Sequence, residues 1–484
     1  MSRSPRHHGL GTRGIEAVPQ GPFFEGRFGR MFGKIPVFEN DPGFLRDLAD
    51  QMHDSPGAGG DNPDIPAGFT YLGQFVDHDI TFDPASSLQR FNDPEALRNF
   101  RTPRFDLDSL YGRGPDDEPY LYDLESPGGA KLLVGRVLED DDSVREQEHD
   151  LPRNRLTHSR ARALIGDPRN DENTFVGQLH LTFIKFHNRV VDRVREQKPG
   201  LKETDLFKEA QREVRWHYQW VVIHDFLPRI VGRSLLDRLL LRAPEGHEEV
   251  KLRFYRPRVR AFMPLEFSVA AYRYGHSQVR GRYRINNTVP VLPTFAPGPL
   301  QERRQDFRGF RGLPPFWTID WPFFFEVDED PPQASRAIDT KLTDPLFSLP
   351  NETGDDDMSL ARRNLLRGLR LSLPPGERVA AAMGERPLGP GELGFNEPAP
   401  LWFYVLKEAE VREDGARLGP VGGRIVAETF LGLLRADPLS YFHVEPTWRP
   451  TLPAAEGDFT MADLIRFAVP EQAQRNPRAG DGVS

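Results

Sequence analysis

Gly73-Gln74-Phe75-Val76-Asp77-His78-Asp79, inside the run from Phe69 to Phe82, sets one histidine between two aspartates. At about 100° per residue on a helix, Gln74, Asp77 and His78 share a face, and Phe69, Leu72, Val76 and Ile80 share the opposite one. Asp79 leaves the polar face on the Leu72 side. One helix therefore offers a base and a carboxylate in one direction and a second carboxylate in another. The plain alternative is an amphipathic surface helix whose polar face meets water. Which of the two holds depends on what stands further along the chain.

The 484 residues suffice for a large core. Lys plus Arg number 63 against 72 Asp plus Glu, a net charge of −9. That mild acidity gives no reason to expect a nucleic-acid partner. With no cysteine there are no disulfides, no thiolate chemistry and no Cys-type haem, zinc or iron–sulfur ligation. Met1–Gly14 is basic but has no apolar run behind it, so no secretory signal is expected. No apolar run approaches the length of a membrane span. These features predict a cytoplasmic protein, with leaderless export left open.

Working outward, residues 1 to about 35 read as an extended arm, and Asp54–Pro66 as a loop by composition. Pro66 then precedes the opening helix. Residues 83–170 are punctuated by Pro, Gly and Asp, and Glu139–Asp150 reads as a charged, solvated loop. From Asn173 to about Gln197, apolar residues recur at helical spacing, with Asn173 or Asp171 as the cap. A second long helix is predicted from about Glu203 to Phe226, and Leu227–Leu241 looks helical too. Residues 285–335 are irregular. Helices are expected at Leu360–Leu371, Pro375–Met383 and Arg424–Leu434, and an exposed acidic turn at Asp355–Asp357. Strand signals are sparse. The expectation is mainly α, with little β and long loops: an arm and loop over 1–60, a single large helical domain over 61–470 and a tail over 471–484.

Three more stretches carry chemistry. Thr102, Asp106 and Asp108 place oxygens at a two-residue rhythm that the Arg104 carbonyl completes. Calcium takes six to eight such oxygens from a flexible loop, although an edge strand with one wet side would read the same way. Gly166–Glu172 holds Arg169 and Glu172 just before the long helix, where a capping turn is the plain alternative. Tyr272-Arg273-Tyr274-Gly275-His276 offers a histidine that is either structural or an axial ligand to haem iron.

The ordered set of four stretches resembles the animal-type haem peroxidase superfamily, over roughly residues 60–450. The segments PLWFYVLKEAEV, LGPVGGRIVAETFLGLL and FTMADLIRFA are similar to its bacterial members. The resemblance implies a single helical haem-peroxidase domain holding haem b and calcium. It implies that His78 is the distal histidine, Gln74 the distal glutamine and Arg169 the catalytic arginine. Asp77 and Glu172 match the carboxylates that esterify haem methyl groups. His276 resembles the proximal iron ligand and Asn364 the asparagine that holds it. Arg273 is expected as a further contact of the cofactor. Asp79 matches a calcium ligand, which supplies the missing carboxylate for Thr102, Arg104, Asp106 and Asp108.

Two departures refine the expectation. Asn173 stands where the best chloride oxidiser of the family has a methionine, which leaves bromide, iodide, thiocyanate or organic donors. Arg273 stands three residues before His276, where the fatty-acid oxygenases carry a radical-forming tyrosine. The resemblance thus implies a peroxidase that reduces hydrogen peroxide to water with a halide, pseudohalide or phenol-like reductant. A lipid dioxygenase and a non-catalytic haem- or calcium-binding relative are the alternatives. The remaining histidines, His180 and His187 among them, are read as core or structural residues.

Overall fold

A computed structural model describes residues 28–473, except 37–39, 55–59, 83–98, 100, 127–128, 139–143, 147, 155–160, 258–259, 299–303 and 351–354. Its framework is helical. Helices of eight residues or more are α1 (Pro42–Gln51), α2 (Ala67–Ile80), α3 (Thr174–Gln197), α4 (Glu203–Trp220), α5 (Leu360–Arg370), α6 (Gly376–Met383), α7 (Leu401–Glu413), α8 (Pro420–Ala436) and α9 (Met461–Ala468). Among the described residues the strands form only two-stranded ladders.

α3 is the predicted helix. Asn173 caps it, its side chain accepting the Val176 N–H, while the carboxylate of Asp171 is turned instead to Arg153. Its apolar stripe lies against α2, α4 and α9. Phe75 of α2 stacks on Phe183 of α3 with ring centroids 4.6 Å apart, so α2 runs through the core rather than over it.

Several expectations change. Asp61–Pro66 is not loop but a strand, paired antiparallel with Ala334–Arg336. The ladder has only two strands, so both are edges, and its register shifts between Ala334 and Ser335, the kind of place where strands tolerate proline. Leu227–Leu241 is not one helix: Gly232 at φ +80 breaks it into Leu227–Val231 and Arg233–Leu239, and Leu240–Arg242 pairs as a strand with Glu248–Val250. α4 ends in a π-helical turn at Val221–Phe226. Within Glu139–Asp150, Val144–Glu146 pairs with Arg136–Leu138 and Asp150 is buried on Arg153, so that stretch is not simply solvated; residues 139–143 lie outside the described ones. Asp355–Met358 is a helical turn whose Asp356 pairs with Arg46 of α1 at 2.9 Å. The helix expected over Arg424–Leu434 runs from Pro420 to Ala436, with its apolar side chains buried and Arg424 and Arg435 left toward the surface.

Residues 1–27 of the expected arm lie outside the described ones. Phe28–Gly29 pairs with Met263–Pro264, and the N–H groups of Met31 and Phe32 each donate to the buried Glu266 carboxylate at 3.0 Å. α1, within the segment read as arm and loop, buries Leu45, Leu48 and Ala49 against α5.

Candidate functional site

On α2, most side chains are buried, His78 and Asp79 included. The helix is not a surface helix. Gly73, Gln74 and Asp77 are its half-buried positions, one turn apart on one face. Asp77 and Asp79 point apart, as the helical spacing requires. Asp77 accepts from Thr81 Oγ1 at 2.9 Å, and Asp79 turns toward residues 106–108.

The turn Pro168–Asp171 brings Arg169 and Glu172 to this face. Asp167 caps it, accepting the Arg169 N–H at 2.9 Å. The turn is capped by Asp167 and not by the Arg169–Glu172 pair for which capping was the plain alternative, and that cap also aims Arg169. The Arg169 guanidinium donates to Asp167 and to the carbonyls of His78 (3.0 Å) and Thr81 (2.6 Å). It closes the C-terminus of α2, where the dipole favours a cation. Asp167 also receives Arg101 at 2.6 Å. Burial pulls the Asp167 carboxyl upward, but the two guanidiniums overcome it and hold it below the usual carboxylate range.

Burial, then the Arg169 charge, holds His78 down to about 3. A neutral imidazole is what a general base at neutral pH needs. Its Nε2 lies 3.8 Å from Glu172 Oε1. Burial raises the Glu172 carboxyl to about 7 against the pull of Arg169. Gln74 Nε2 donates to Glu172 Oε1, and Gln74 Oε1 accepts from Asn173 Nδ2 at 3.1 Å. Asn173, at the position where the sequence departs from the family, thus helps to orient Gln74. Gly309 permits the close packing behind: a Cβ there would fall 1.8 Å from the Asp171 carbonyl oxygen.

The second wall comes from Ala271–His276, a 3-10 turn following a π-helical turn at Glu266–Ala270. Tyr272 ties it to α2, its hydroxyl donating to the Gly73 carbonyl at 3.1 Å. Arg273, Gly275 and His276 are half-buried, whereas Ala271, Tyr272 and Tyr274 are buried. Asp77 feels Arg273 as its largest opposing charge, with burial raising its carboxyl.

Asn364 of α5 lies 2.9 Å from His276 Nδ1, and Arg273 Nη1 donates to Asn364 Oδ1 at 3.4 Å. With the amide NH2 toward Nδ1, the ring carries its proton on Nε2. Turned over, the amide accepts from Nδ1–H and frees Nε2 as a metal ligand. Burial first, then Arg273 and Arg363, holds His276 down to about 3, so the ring is neutral. A neutral imidazole with one nitrogen held by an amide and a half-exposed edge is a donor suited to haem iron.

Asp79, Asp106 and Asp108 bring carboxylate oxygens within 4.8 Å of one another. Asp79 is fully buried, and its Oδ1 has no hydrogen-bond partner among the described residues. Thr102 Oγ1 donates to Asp106 at 2.8 Å, and the Leu107 N–H to Asp79 at 3.3 Å. Residues 102–108 form no strand. Burial and the facing carboxylates raise Asp79 well above its usual range, and burial raises Asp108 to about 7. An orphaned, buried carboxylate oxygen beside two more carboxylates fits a hard divalent cation. The Arg104 side chain turns away, 3.9 Å from Asp437.

Sequence reasoning passed over three residues. Asp167 anchors both Arg101 and Arg169. Asn170 Oδ1 lies 2.8 Å from His78 Nδ1, and its Nδ2 lies 3.0 Å from Nδ1 of His180, a buried core histidine as expected. The signal for Asp167 was its place two residues before Arg169 in a Pro-led turn. Nothing local marks Asn170 or His180.

A sequence model of the family described as animal haem peroxidase matches residues 84–375. Chorion peroxidase of Aedes aegypti is 26% identical over 310 residues, covering 62% of this chain and 37% of its own length. A peroxidase-like protein of Margaritifera margaritifera is 24% identical over 78% of this chain and 55% of its own. The chain thus spans between about a third and about half of these relatives. Among solved structures, peroxidase A from Dictyostelium discoideum superposes with a TM-score of 0.64 at 16% identity, covering 87% of this chain and 89% of that one. A fatty acid alpha-dioxygenase of Arabidopsis thaliana gives 0.60 at 14% identity, covering 90% and 77%. These two likenesses concern the fold. No helix among the described residues is long and apolar enough to cross a membrane.

Proposed function

Because the chain belongs to the animal haem peroxidase family, we propose that it is a haem- and calcium-dependent peroxidase acting on hydrogen peroxide. The observation that carries the reading is the placing of His78, Arg169 and Glu172 around one half-buried face of α2, with His276 and Asn364 on a segment tied to that face through Tyr272. His276 would ligate the iron through Nε2 once the Asn364 amide is turned so that its oxygen accepts from Nδ1–H and fixes that tautomer. Asp77 and Glu172 stand as the carboxylates open to ester formation, and Arg273 lies beside Asp77. Asp79, Asp106, Asp108, Thr102 and the Arg104 carbonyl would hold the calcium.

Bound haem supplies the electrons that cleave the peroxide O–O bond. His78 Nε2 accepts a proton from the peroxide oxygen that binds and returns it to the oxygen that leaves as water. Arg169, fixed by Asp167, presents positive charge where negative charge develops. Gln74, held by Glu172 and Asn173, orients the bound peroxide. Bromide, iodide, thiocyanate or a phenol-like donor completes the cycle. A fatty-acid dioxygenase is the second reading, supported by the dioxygenase likeness in fold. Arg273, three residues before His276 where those enzymes carry a tyrosine, favours the peroxidase.

The test is an absorption spectrum of the purified protein with acid–organic haem extraction, then His78→Ala. A Soret band, and peroxide turnover that falls about 10²- to 10⁴-fold in the variant with haem retained, is expected. No Soret band after expression with added haem, or undiminished turnover in His78→Ala, overturns the reading.

A further inference from the structure

The ring nitrogen of His78 that faces away from the peroxide side is engaged by a buried relay that the proposed mechanism has not used. His78 Nδ1 lies 2.8 Å from Asn170 Oδ1, and Asn170 Nδ2 lies 3.0 Å from His180 Nδ1. Asn170 is fully buried, and His78 and His180 are 5% and 1% exposed. Asn170 is fixed by its backbone as well, its N–H donating to the Asp167 carbonyl at 3.1 Å within the Arg169 turn. His180 sits in α3, the longest helix among the described residues.

We infer that Asn170 and His180 are positioning residues that lock the tautomer of His78, keeping its proton on Nδ1 and its Nε2 lone pair free for peroxide. An amide has one accepting and one donating end. His180 is neutral, burial holding it down to about 3, and with its own proton on Nε2 its Nδ1 accepts from the Asn170 NH2 that faces it. That contact points the Asn170 oxygen at His78, which must then donate from Nδ1. If the amide turned over, its NH2 would face His78 Nδ1 and drive the proton to Nε2. A histidine protonated there cannot take the first proton from peroxide. The orienting group behind the general base is thus an amide read by a second histidine, where triad-type sites use a carboxylate. The inference rests on the peroxidase reading.

The experiment uses the haem-loaded protein with four variants: Asn170→Leu, Asn170→Asp, His180→Leu and His180→Gln. Two quantities are read. One is the stopped-flow rate of the Soret change with hydrogen peroxide. The other is the C–O stretch of carbon monoxide on the ferrous haem, which falls when a donor points at the ligand. Losing the lock is expected to slow the peroxide step about ten- to a hundredfold in Asn170→Leu, with a smaller loss in His180→Leu. In both, Nε2–H donation lowers the C–O stretch. Asn170→Asp still accepts from Nδ1–H, and His180→Gln still accepts from the Asn170 amide, so each recovers most of the rate and the wild-type stretch. The inference is overturned if both leucine variants react at the wild-type rate, or if Asn170→Asp is as slow as Asn170→Leu, which would make the role one of packing. His78→Ala separates the two claims. If it abolishes the reaction while the leucine variants keep it, only the lock falls. If wild-type protein with haem does not react with peroxide, the peroxidase reading falls and the lock with it.

Discussion

Stripping the cation from the Asp79–Asp106–Asp108 cluster should make the protein more stable in mild acid than in base, the reverse of ordinary acid denaturation. The three carboxylates approach within 4.8 Å, and with no cation among them burial raises Asp108 from 3.8 to about 7 against the pull of Arg101, with Asp79 pushed the same way. A carboxyl whose folded pKa lies above its unfolded value stabilises the fold fully below the unfolded value. That contribution is lost as pH rises through the folded one. Here the window runs from about pH 4 to about pH 7. At about 1.4 kcal/mol for each tenfold, the Asp108 shift from 3.8 to about 7 corresponds to about 4 kcal/mol of stability lost across it. For 484 residues unfolding together, about 2 cal/mol/K per residue turns that into about 4 °C in Tm. Cation binding removes the repulsion. The assay is thermal unfolding with EGTA or with calcium at pH 5.5 and 8. About half of the loss is already incurred by pH 5.5, so the drop in Tm caused by EGTA should be about 2 °C larger at pH 8 than at pH 5.5, and Asp108→Asn should abolish most of that difference. An EGTA effect that is absent, or larger at pH 5.5, refutes the reasoning.

Other outcomes follow from the same contacts. Asn364→Leu removes the amide at His276 Nδ1, and haem affinity should fall about 10- to 100-fold by titration; unchanged affinity would show that the contact does not orient the ligand. Asp167→Asn unpairs Arg101 and Arg169 around a fully buried carboxylate, a loss of about 3–5 kcal/mol that should lower Tm by about 3–5 °C. A change under about 1 °C would contradict this. Glu172→Gln keeps a partner for Gln74 but cannot form an ester. If the wild-type haem resists acid–organic extraction, part of it should become extractable in this variant, and extraction equal to wild type would remove Glu172 as a linkage site.

What the sequence disclosed is what local spacing encodes. The divergence of Asp77 and Asp79 about His78 is a matter of helical angle, and the two side chains do serve different surroundings. α3 was legible because its apolar stripe is long and Asn173 caps it. Asp61–Pro66 was not, since a strand reading DNPDIP draws its stability from Ala334–Arg336, more than 260 residues away, and not from its own composition. The break at Gly232 hid inside an apolar run because one glycine at φ +80 carries it. His180 lies among apolar residues on α3. Only the tertiary fold, by delivering Asn170 to it, distinguishes it from an ordinary buried histidine.

The cation cluster and the proposed acid–base residues are joined by more than adjacency in α2. Asp108 accepts from Arg101 at 3.1 Å, Arg101 binds Asp167 at 2.6 Å, Asp167 binds Arg169 at 2.8 Å, and Arg169 closes the His78 carbonyl at 3.0 Å. Each link is an ion pair or a charge-assisted hydrogen bond, and Asp167 at its centre is fully buried. The segment bearing Asp167 can lie on the cation loop because Gly166 has no side chain; a Cβ there would stand 2.6 Å from the Ser109 carbonyl oxygen. Charge at the cluster therefore bears on how firmly Asp108 holds Arg101, and through Asp167 on where Arg169 points. A cation held by all three carboxylates would offset their mutual repulsion while Asp108 keeps its pairing with Arg101. On the proposed reading, the three acidic residues near the end of α2 would do for Arg169 what Asn170 and His180 would do for His78: fix the orientation of a polar group before a substrate arrives.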